Sequence, residues 1–270
     1  MVPMASTLAA PPVVIPAAGL GTRLRGVIPE SAKELAVLGG EPVLLASLLE
    51  AAAVEAPAVV LVTSPAKPEI RATAERLLDR PALRRLSVTF VEQPTPAGVF
   101  DAVARAAAVL GADRMAVVFP DFVHLPDQTG LARVLAVANA LPRSVSCYGV
   151  FRKTADHAAR MGGSATVELG ARGRITEVLD APLQPDSWHT GLVELRGTAF
   201  VRQVAGRSDV DVLEVLRRLA RERRLYGVPL EGNLLDVGVP AGWRDAVARF
   251  DRGEATWRDR DTSAPERRSD

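Results

Sequence analysis

The stretch Val13-Val14-Ile15-Pro16-Ala17-Ala18-Gly19-Leu20-Gly21-Thr22-Arg23-Leu24 decides how the rest of the chain is read. A β-branched run ends at a proline, and a loop of small residues follows with an arginine inside it. Glycines in such a loop let backbone N–H groups approach a polyphosphate closely, and Arg23 can fork onto phosphate oxygens. Two commoner phosphate loops are excluded. No Gly-Lys-Ser/Thr triplet follows, as a Walker loop requires, and Leu24 stands where the dinucleotide fingerprint needs its third glycine.

Outward from this loop, strand and helix patterns alternate. Val13 to Ile15, Ala58 to Thr63, Leu86 to Glu92 and Met115 to Phe119 read as strands buried on both faces. Between them Val43 to Ala53, Pro68 to Leu78, Gly98 to Leu110 and Thr129 to Ala140 read as helices. That alternation predicts an α/β fold with a mostly parallel sheet and right-handed crossovers. In the second half Ser144 to Val150, Ala165 to Leu169, Ile175 to Leu179 and Gly191 to Leu195 are strands with few helices between them, which predicts a smaller antiparallel lobe over the sheet's C-terminal edge. A helix over Asp209 to Arg224, a strand near Leu234 to Val237 and a helix from Ala241 to Phe250 close the domain. Residues 251–270 are charged and aperiodic, the composition of a disordered tail.

Composition narrows the class further. Of 270 residues 48% are hydrophobic and 24% charged, with a net charge of +1, so nothing favours nucleic acid or an anionic membrane as partner. No stretch reaches the roughly 20 apolar residues of a membrane span. The single cysteine, Cys147, lies in an apolar run and reads as a buried hydrophobe; without a disulfide framework or a signal peptide, a cytoplasmic location is expected. Lys33, Lys67 and Lys153 are the only lysines, so a lysine inside a candidate site stands out.

Lys33 does so. It follows Arg23 by ten residues, in Ser31-Ala32-Lys33-Glu34-Leu35, and would put a second cation over one anionic site. The plain alternative is a tight turn beside a solvated lysine. Gly19-x-Gly21-Thr22-Arg23-Leu24 with Lys33 at that spacing resembles the signature of the nucleoside-diphosphate-sugar pyrophosphorylases, and the Ala-Ala-Gly-Leu-Gly-Thr-Arg form is most similar to glucose-1-phosphate uridylyl- and thymidylyltransferases. Gly26, Ile28 and Val37 depart from that pattern.

The resemblance runs to about residue 250 and implies a Rossmann-like, GT-A-like nucleotidyltransferase domain over 1–250. Its nucleotide-binding half would span about 1–143 and its acceptor-binding half about 144–250. It implies transfer of a nucleoside monophosphate from an NTP, UTP or dTTP by preference, to a sugar 1-phosphate or related phosphorylated small molecule. Ala18, Gly19, Gly21 and Thr22 would cradle the nucleotide and Arg23 and Lys33 would act on its phosphates. Glu92-Gln93-Pro94-Thr95-Pro96-Ala97-Gly98 resembles the base-reading loop, with Gln93 on the pyrimidine edge and Gly98 allowing closure, although a glutamine at a strand end is commonly just exposed.

Val117-Val118-Phe119-Pro120-Asp121 is a buried strand ending in a carboxylate, which points it at the crevice of the glycine loop. Leu234-Leu235-Asp236-Val237-Gly238 places a second acid after an apolar pair. The family uses these positions, Asp121 and Asp236, as magnesium ligands, and Mg²⁺ takes such hard carboxylate oxygens together with substrate phosphates. On the acceptor side the resemblance implies Gly163, Asp180 and Thr190, while Ala181 stands where the family has a lysine for the sugar phosphate. Either Arg174 supplies that charge or the acceptor is not an ordinary hexose 1-phosphate. His189 is a candidate acceptor contact; His124 and His157 read as surface residues.

Two rivals remain. A GT-A-type glycosyltransferase would need an Asp-x-Asp motif, but Asp121 is followed by Phe122 and Val123. A catalytically silent regulatory subunit fits poorly with retention of Arg23, Lys33, Asp121 and Asp236 together, although Ala181 keeps it open. The acceptor, the base and the oligomeric state, a homo-oligomer included, are left open by the sequence.

Overall fold

The computed structural model describes residues 10–29, 32–124, 129–152, 165–179, 187–204, 211–231 and 234–257. In chain order the first half contains β1 (Val13–Pro16), β2 (Val37–Leu38), β3 (Glu41–Pro42), α1 (Leu44–Ala53), β4 (Val59–Thr63), α2 (Pro68–Leu78), β5 (Val88–Glu92), α3 (Gly98–Leu110), β6 (Met115–Val118), β7 (Phe122–His124) and α4 (Gly130–Ala138). The second half contains β8 (Ser146–Arg152), β9 (Thr166–Leu169), β10 (Ile175–Leu179), β11 (Trp188–Arg196), α5 (Thr198–Val204), α6 (Val212–Arg221), β12 (Leu225–Pro229), β13 (Leu234–Asp236) and α7 (Pro240–Asp251).

Among the described residues nine strands form one mixed sheet in the order β10-β9-β11-β6-β1-β4-β5, with β8 paired to β11 and β12 to β8. β5, β4, β1 and β6 run parallel. The period-2 pattern of these strands sorts their side chains onto two helix layers. Val13, Ile15, Val59, Leu61, Ala116 and Val118 face the layer of α1, α2 and α4. Val14, Val60, Val62, Met115 and Val117 face α3 and α5, meeting Ala102, Val103, Ala106 and Val201. Burial on both faces explains why β1, β4 and β6 lack polar alternation; β5, expected to be buried likewise, is the edge strand and exposes Thr89 and Glu92.

The antiparallel lobe is the continuation of this sheet and does not lie over its edge. β11 pairs antiparallel with β6 through Val193 to Arg196, with β9 through Trp188 and His189, and with β8 through Trp188 to Thr190 and again through Glu194 and Leu195. The two halves expected to meet near residue 143 therefore share one sheet. β11 is also longer than the expected Gly191 to Leu195. Its register on β8 shifts between Thr190 and Glu194, where Leu192 takes φ 56, so the strand bends beside the end of β6. β7, α5 and β12 were not foreseen; they are short or bounded by charged residues that mask their periodicity.

Thr129 is the N-cap of α4, accepting from Ala132 N at 3.3 Å. The start of that helix is also held by Glu50, a fully buried carboxylate of α1 that accepts from Gly130 N and Leu131 N. Acceptance of two otherwise unpaired N–H groups offsets the cost of burying this charge. Cys147 is buried in β8, and its thiol is pushed up to about 12 by burial, in keeping with a hydrophobe.

One expectation changes at the C-terminus. The chain does not become irregular tail at 251: Asp251 ends α7, and residues up to 257 fold back. Trp257 donates Nε1–H to Leu38 O at 2.7 Å and packs its ring 5.6 Å from that of Phe250. Gly39 makes room, because a Cβ there would lie 2.2 Å from Phe250 Cδ1. Trp257→Ala is expected to lower stability by about 2 kcal/mol, the scale for losing a partly buried aromatic and one hydrogen bond. Urea denaturation checks this, and an unchanged midpoint would show that the segment contributes nothing.

Candidate active site

A cavity of about 610 Å³ opens at the carboxyl ends of β1 and β6. Parallel strands direct their following loops to that edge, so the glycine loop and Asp121 meet there although far apart in sequence. Ala18, Gly19, Arg23, Lys33, Gln93, Gly98, Asp121 and Thr190 all line it. Gly21 and Thr22, expected beside them, are not part of the wall. Gly21 takes φ 63 at the start of the 3-10 turn Thr22–Leu24, and this left-handed step turns Arg23 toward the cavity. A Cβ on Gly19 would meet no described atom within 4 Å, so packing inside the protein does not require a glycine there.

Two ion pairs pin the loop. Lys33 donates to Asp121 Oδ2 at 2.5 Å, with both side chains 16% exposed. Lys67 donates to the carbonyl of Gly19 and lies 3.4 Å from Glu34 Oε2. Burial works against the Lys33 charge, but the carboxylates of Asp121 and Glu34 outweigh it and hold its pKa above the usual lysine value. Burial raises the Glu34 carboxyl in turn, against the pull of Lys67 and Lys33. Lys33 is thus an ammonium fixed in the cavity wall and not a solvated lysine. Lys67 and Glu34 were missed by the sequence reading, although Lys67 is one of only three lysines in an arginine-rich chain.

Asp121 and Asp236 stand close together, although Asp236 is not part of the cavity wall. β13 pairs antiparallel with β7, and Val237 N donates to Asp121 O at 2.9 Å. Gly238 sits between the two acids: a Cβ there would lie 2.8 Å from Asp121 Oδ2 and 3.2 Å from Asp236 Oδ1. Asp121 Oδ2 accepts from Lys33 and Asp236 Oδ1 from Gly238 N, and two adjacent hard carboxylates are a donor set that suits Mg²⁺. Among the described residues no group of three or more His, Cys, Asp or Glu side chains could hold a metal, so the fit is to an ion completed by phosphate and water. Phe122, Val123 and His124 are buried in β7, and no second acid follows Asp121 there.

Gln93 is 3% exposed, so it is not a solvated strand end; its side chain donates to Gly98 O and Asp101 Oδ2. The cavity is also lined by Phe100, Leu216, Glu194 and Arg196. The last two form a buried ion pair on β11, with the Arg196 guanidinium 4.1 Å from the centre of the Phe200 ring. Burial pushes Glu194 up and Arg196 down, and their mutual contact favours both charged forms. This pair was also missed, since an i, i+2 Glu and Arg look like surface residues in sequence.

Three expectations on the acceptor side change. Arg174 does not line the cavity; its guanidinium lies 5.9 Å from the centre of the Tyr226 ring. His189 is buried between Thr166 and Ser187 and is not part of the wall, and His124 is buried with Nε2 2.9 Å from Glu231 O. Gly163, Asp180, Ala181 and His157 lie outside the described residues.

A glycine loop, Arg23, and Lys33 paired to Asp121 gathered at the strand ends suit a nucleotidyltransferase, whose chemistry is positioning and charge neutralisation. The chain belongs to the MobA-like NTP transferase domain family, whose model matches residues 13–225. It is 24% identical over 268 residues to the UTP–glucose-1-phosphate uridylyltransferase YngB of Bacillus subtilis (strain 168), covering 85% of each chain. It shares its fold with a UTP-bound UGPase from Acinetobacter baumannii, at TM-score 0.69 and 20% identity, covering 89% of this chain and 93% of that one. A UDP-glucose pyrophosphorylase complexed with UDP-glucose gives TM-score 0.72 at 17% identity, covering 90% and 99%. No helix among the described residues is long and apolar enough to cross a membrane.

The Lys67 contact generates a prediction about the loop. Lys67→Met frees the Gly19 carbonyl and deprives buried Glu34 of a counter-charge, so UTP affinity is expected to fall at least about tenfold, or ~1.4 kcal/mol. Titration calorimetry, with a thermal melt as folding control, measures it. Wild-type affinity in a folded variant would mean that the loop keeps its shape without Lys67.

Proposed function

We propose that this protein transfers a nucleoside monophosphate from UTP or dTTP to a sugar 1-phosphate or a related phosphorylated small molecule, releasing pyrophosphate. The observation that carries this reading is the meeting of Arg23, Lys33 and Asp121 around one cavity walled by the glycine loop, with Asp236 beside Asp121 across Gly238. The uridylyltransferase YngB and the UDP-glucose pyrophosphorylases support the choice of base and acceptor class by similarity.

The acceptor's phosphate oxygen attacks the α-phosphorus in line, and the bond to pyrophosphate breaks. A phosphate is already an anionic nucleophile, so no side chain needs to remove a proton. Lys33, held cationic by Asp121 and Glu34, offsets charge as the α-phosphoryl group reorganises. Arg23 can grip the departing pyrophosphate through two parallel N–H donors. The N–H groups of the Ala18–Gly19 loop receive the phosphates, and Gln93 reads the base. Mg²⁺, held by Asp121 and Asp236, would supply charge neutralisation between the phosphates. A location in the cytoplasm, where NTPs are plentiful, fits this chemistry.

Asp121→Asn and Asp236→Asn are each expected to lose most pyrophosphate release, by roughly a hundredfold or more, while the protein stays folded. The assay pairs each NTP with Mg²⁺ and a panel of phosphorylated acceptors. Wild-type release by either variant would remove that aspartate from the metal site, and no release by the wild-type protein on any pair would favour a silent binding subunit. Lys33→Ala should lower turnover far more than it weakens NTP binding, because its charge matters most in the transition state. Normal turnover with poor NTP affinity would make Lys33 a binding residue only.

A further inference from the structure

The wall of the cavity holds a glutamine whose amide has one orientation available to it. Gln93 Nε2 donates to Gly98 O at 2.9 Å and to Asp101 Oδ2 at 2.8 Å. A backbone carbonyl can only accept. Asp101 can only accept while it is ionised, and Arg105 keeps it so: Arg105 Nε donates to the same Oδ2 at 2.6 Å. That hydrogen bond, against the opposing effect of burial and with help from Gln93, holds the Asp101 carboxyl below the usual range. Both amide hydrogens are therefore committed to groups that cannot donate in return. Flipping the amide would turn Oε1 onto two acceptors. The remaining atom, Oε1, has no partner among the described residues and is not sealed in the interior, and Gln93 lines the cavity.

We infer that Asp101 is a positioning residue that fixes Gln93 as a hydrogen-bond acceptor toward the nucleobase, so that the site selects pyrimidines with a ring N–H and rejects cytosine. Uracil and thymine carry a donor at N3, whereas N3 of cytosine is a bare acceptor. Facing Oε1, cytosine would set lone pair against lone pair and leave a buried oxygen unsatisfied. Cytosine has the same size and shape as uracil, so steric fit cannot make this distinction and the edge pattern must. Discrimination of this kind is strong because the wrong ligand leaves the polar group of the site unpaired. Asp101 acts only through Gln93. This inference rests on the reading, under Proposed function, that Gln93 faces the base.

The test measures dissociation constants of UTP and CTP for the full-length protein by calorimetry, with no acceptor needed. The wild-type protein is expected to prefer UTP by roughly a hundredfold. In Asp101→Asn the new side-chain amide can donate to a flipped Gln93, so the ratio of the two affinities should fall at least about tenfold, with CTP binding gaining in absolute terms. A residue that merely braces α3 would, when changed, weaken both nucleotides alike and leave the ratio where it was. If Asp101→Asn does not fold, Asp101→Ala removes the acceptor and reads the same ratio. A wild-type protein that binds both pyrimidine nucleotides equally would overturn the assignment of Gln93 to the base. A wild-type preference that survives in the folded Asp101 variant would overturn the role of Asp101 alone.

Discussion

Charges that leave water must be paired, and the cavity of this protein is organised by that requirement. Glu34 is fully buried, with Lys67 on one side and Lys33 on the other. Lys33 reaches in turn to Asp121, 88 residues away in sequence. The four charges belong to three segments: Lys33 and Glu34 to the turn after the glycine loop, Lys67 to the N-cap of α2 and Asp121 to the link between β6 and β7. Since no one of these charges can be left alone at that depth without a cost of several kcal/mol, the three segments are held in one arrangement. The hold of Lys67 on the Gly19 carbonyl extends it to the glycine loop.

The sheet decides where this cluster stands. β1 and β6 are parallel neighbours, and a parallel pair sends both following loops to the same edge. β11 then pairs with β6 on its other side, which brings Thr190 and the Glu194–Arg196 pair to the cavity from the second half of the chain. The bend at Leu192 lies where β11 passes the end of β6, and Phe119 N donates to the Leu192 carbonyl at 2.8 Å. A left-handed leucine is uncommon and is retained when the surrounding structure over-determines it, as pairing with β6 and β8 on both sides does here.

The cavity wall sets the ion-paired Lys33 and Asp121 against Phe100, Leu216 and a buried Glu–Arg pair. That contrast suits a site that grips phosphates by geometry and charge and encloses the remainder of its ligands in a drier space, where each polar contact is stronger.

The sequence by itself determined the α/β class, the parallel half of the sheet and most of its elements, because strands buried on both faces and helices between them leave strong local patterns. Resemblance to a known family singled out Arg23, Lys33, Asp121 and Asp236, and the structure brings the first three to one cavity and sets Asp236 beside Asp121. Tertiary structure alone decided that Lys67 and Glu34 hold the loop, that Arg174 turns to Tyr226, and that Glu194 and Arg196 lie inside the molecule. It also decided that Gln93 is oriented by Asp101 and that Trp257 closes on Leu38. The reason is physical: spacing along the chain reports which face a residue occupies, but the partner that neutralises a charge or receives a hydrogen bond is chosen by packing between segments distant in sequence.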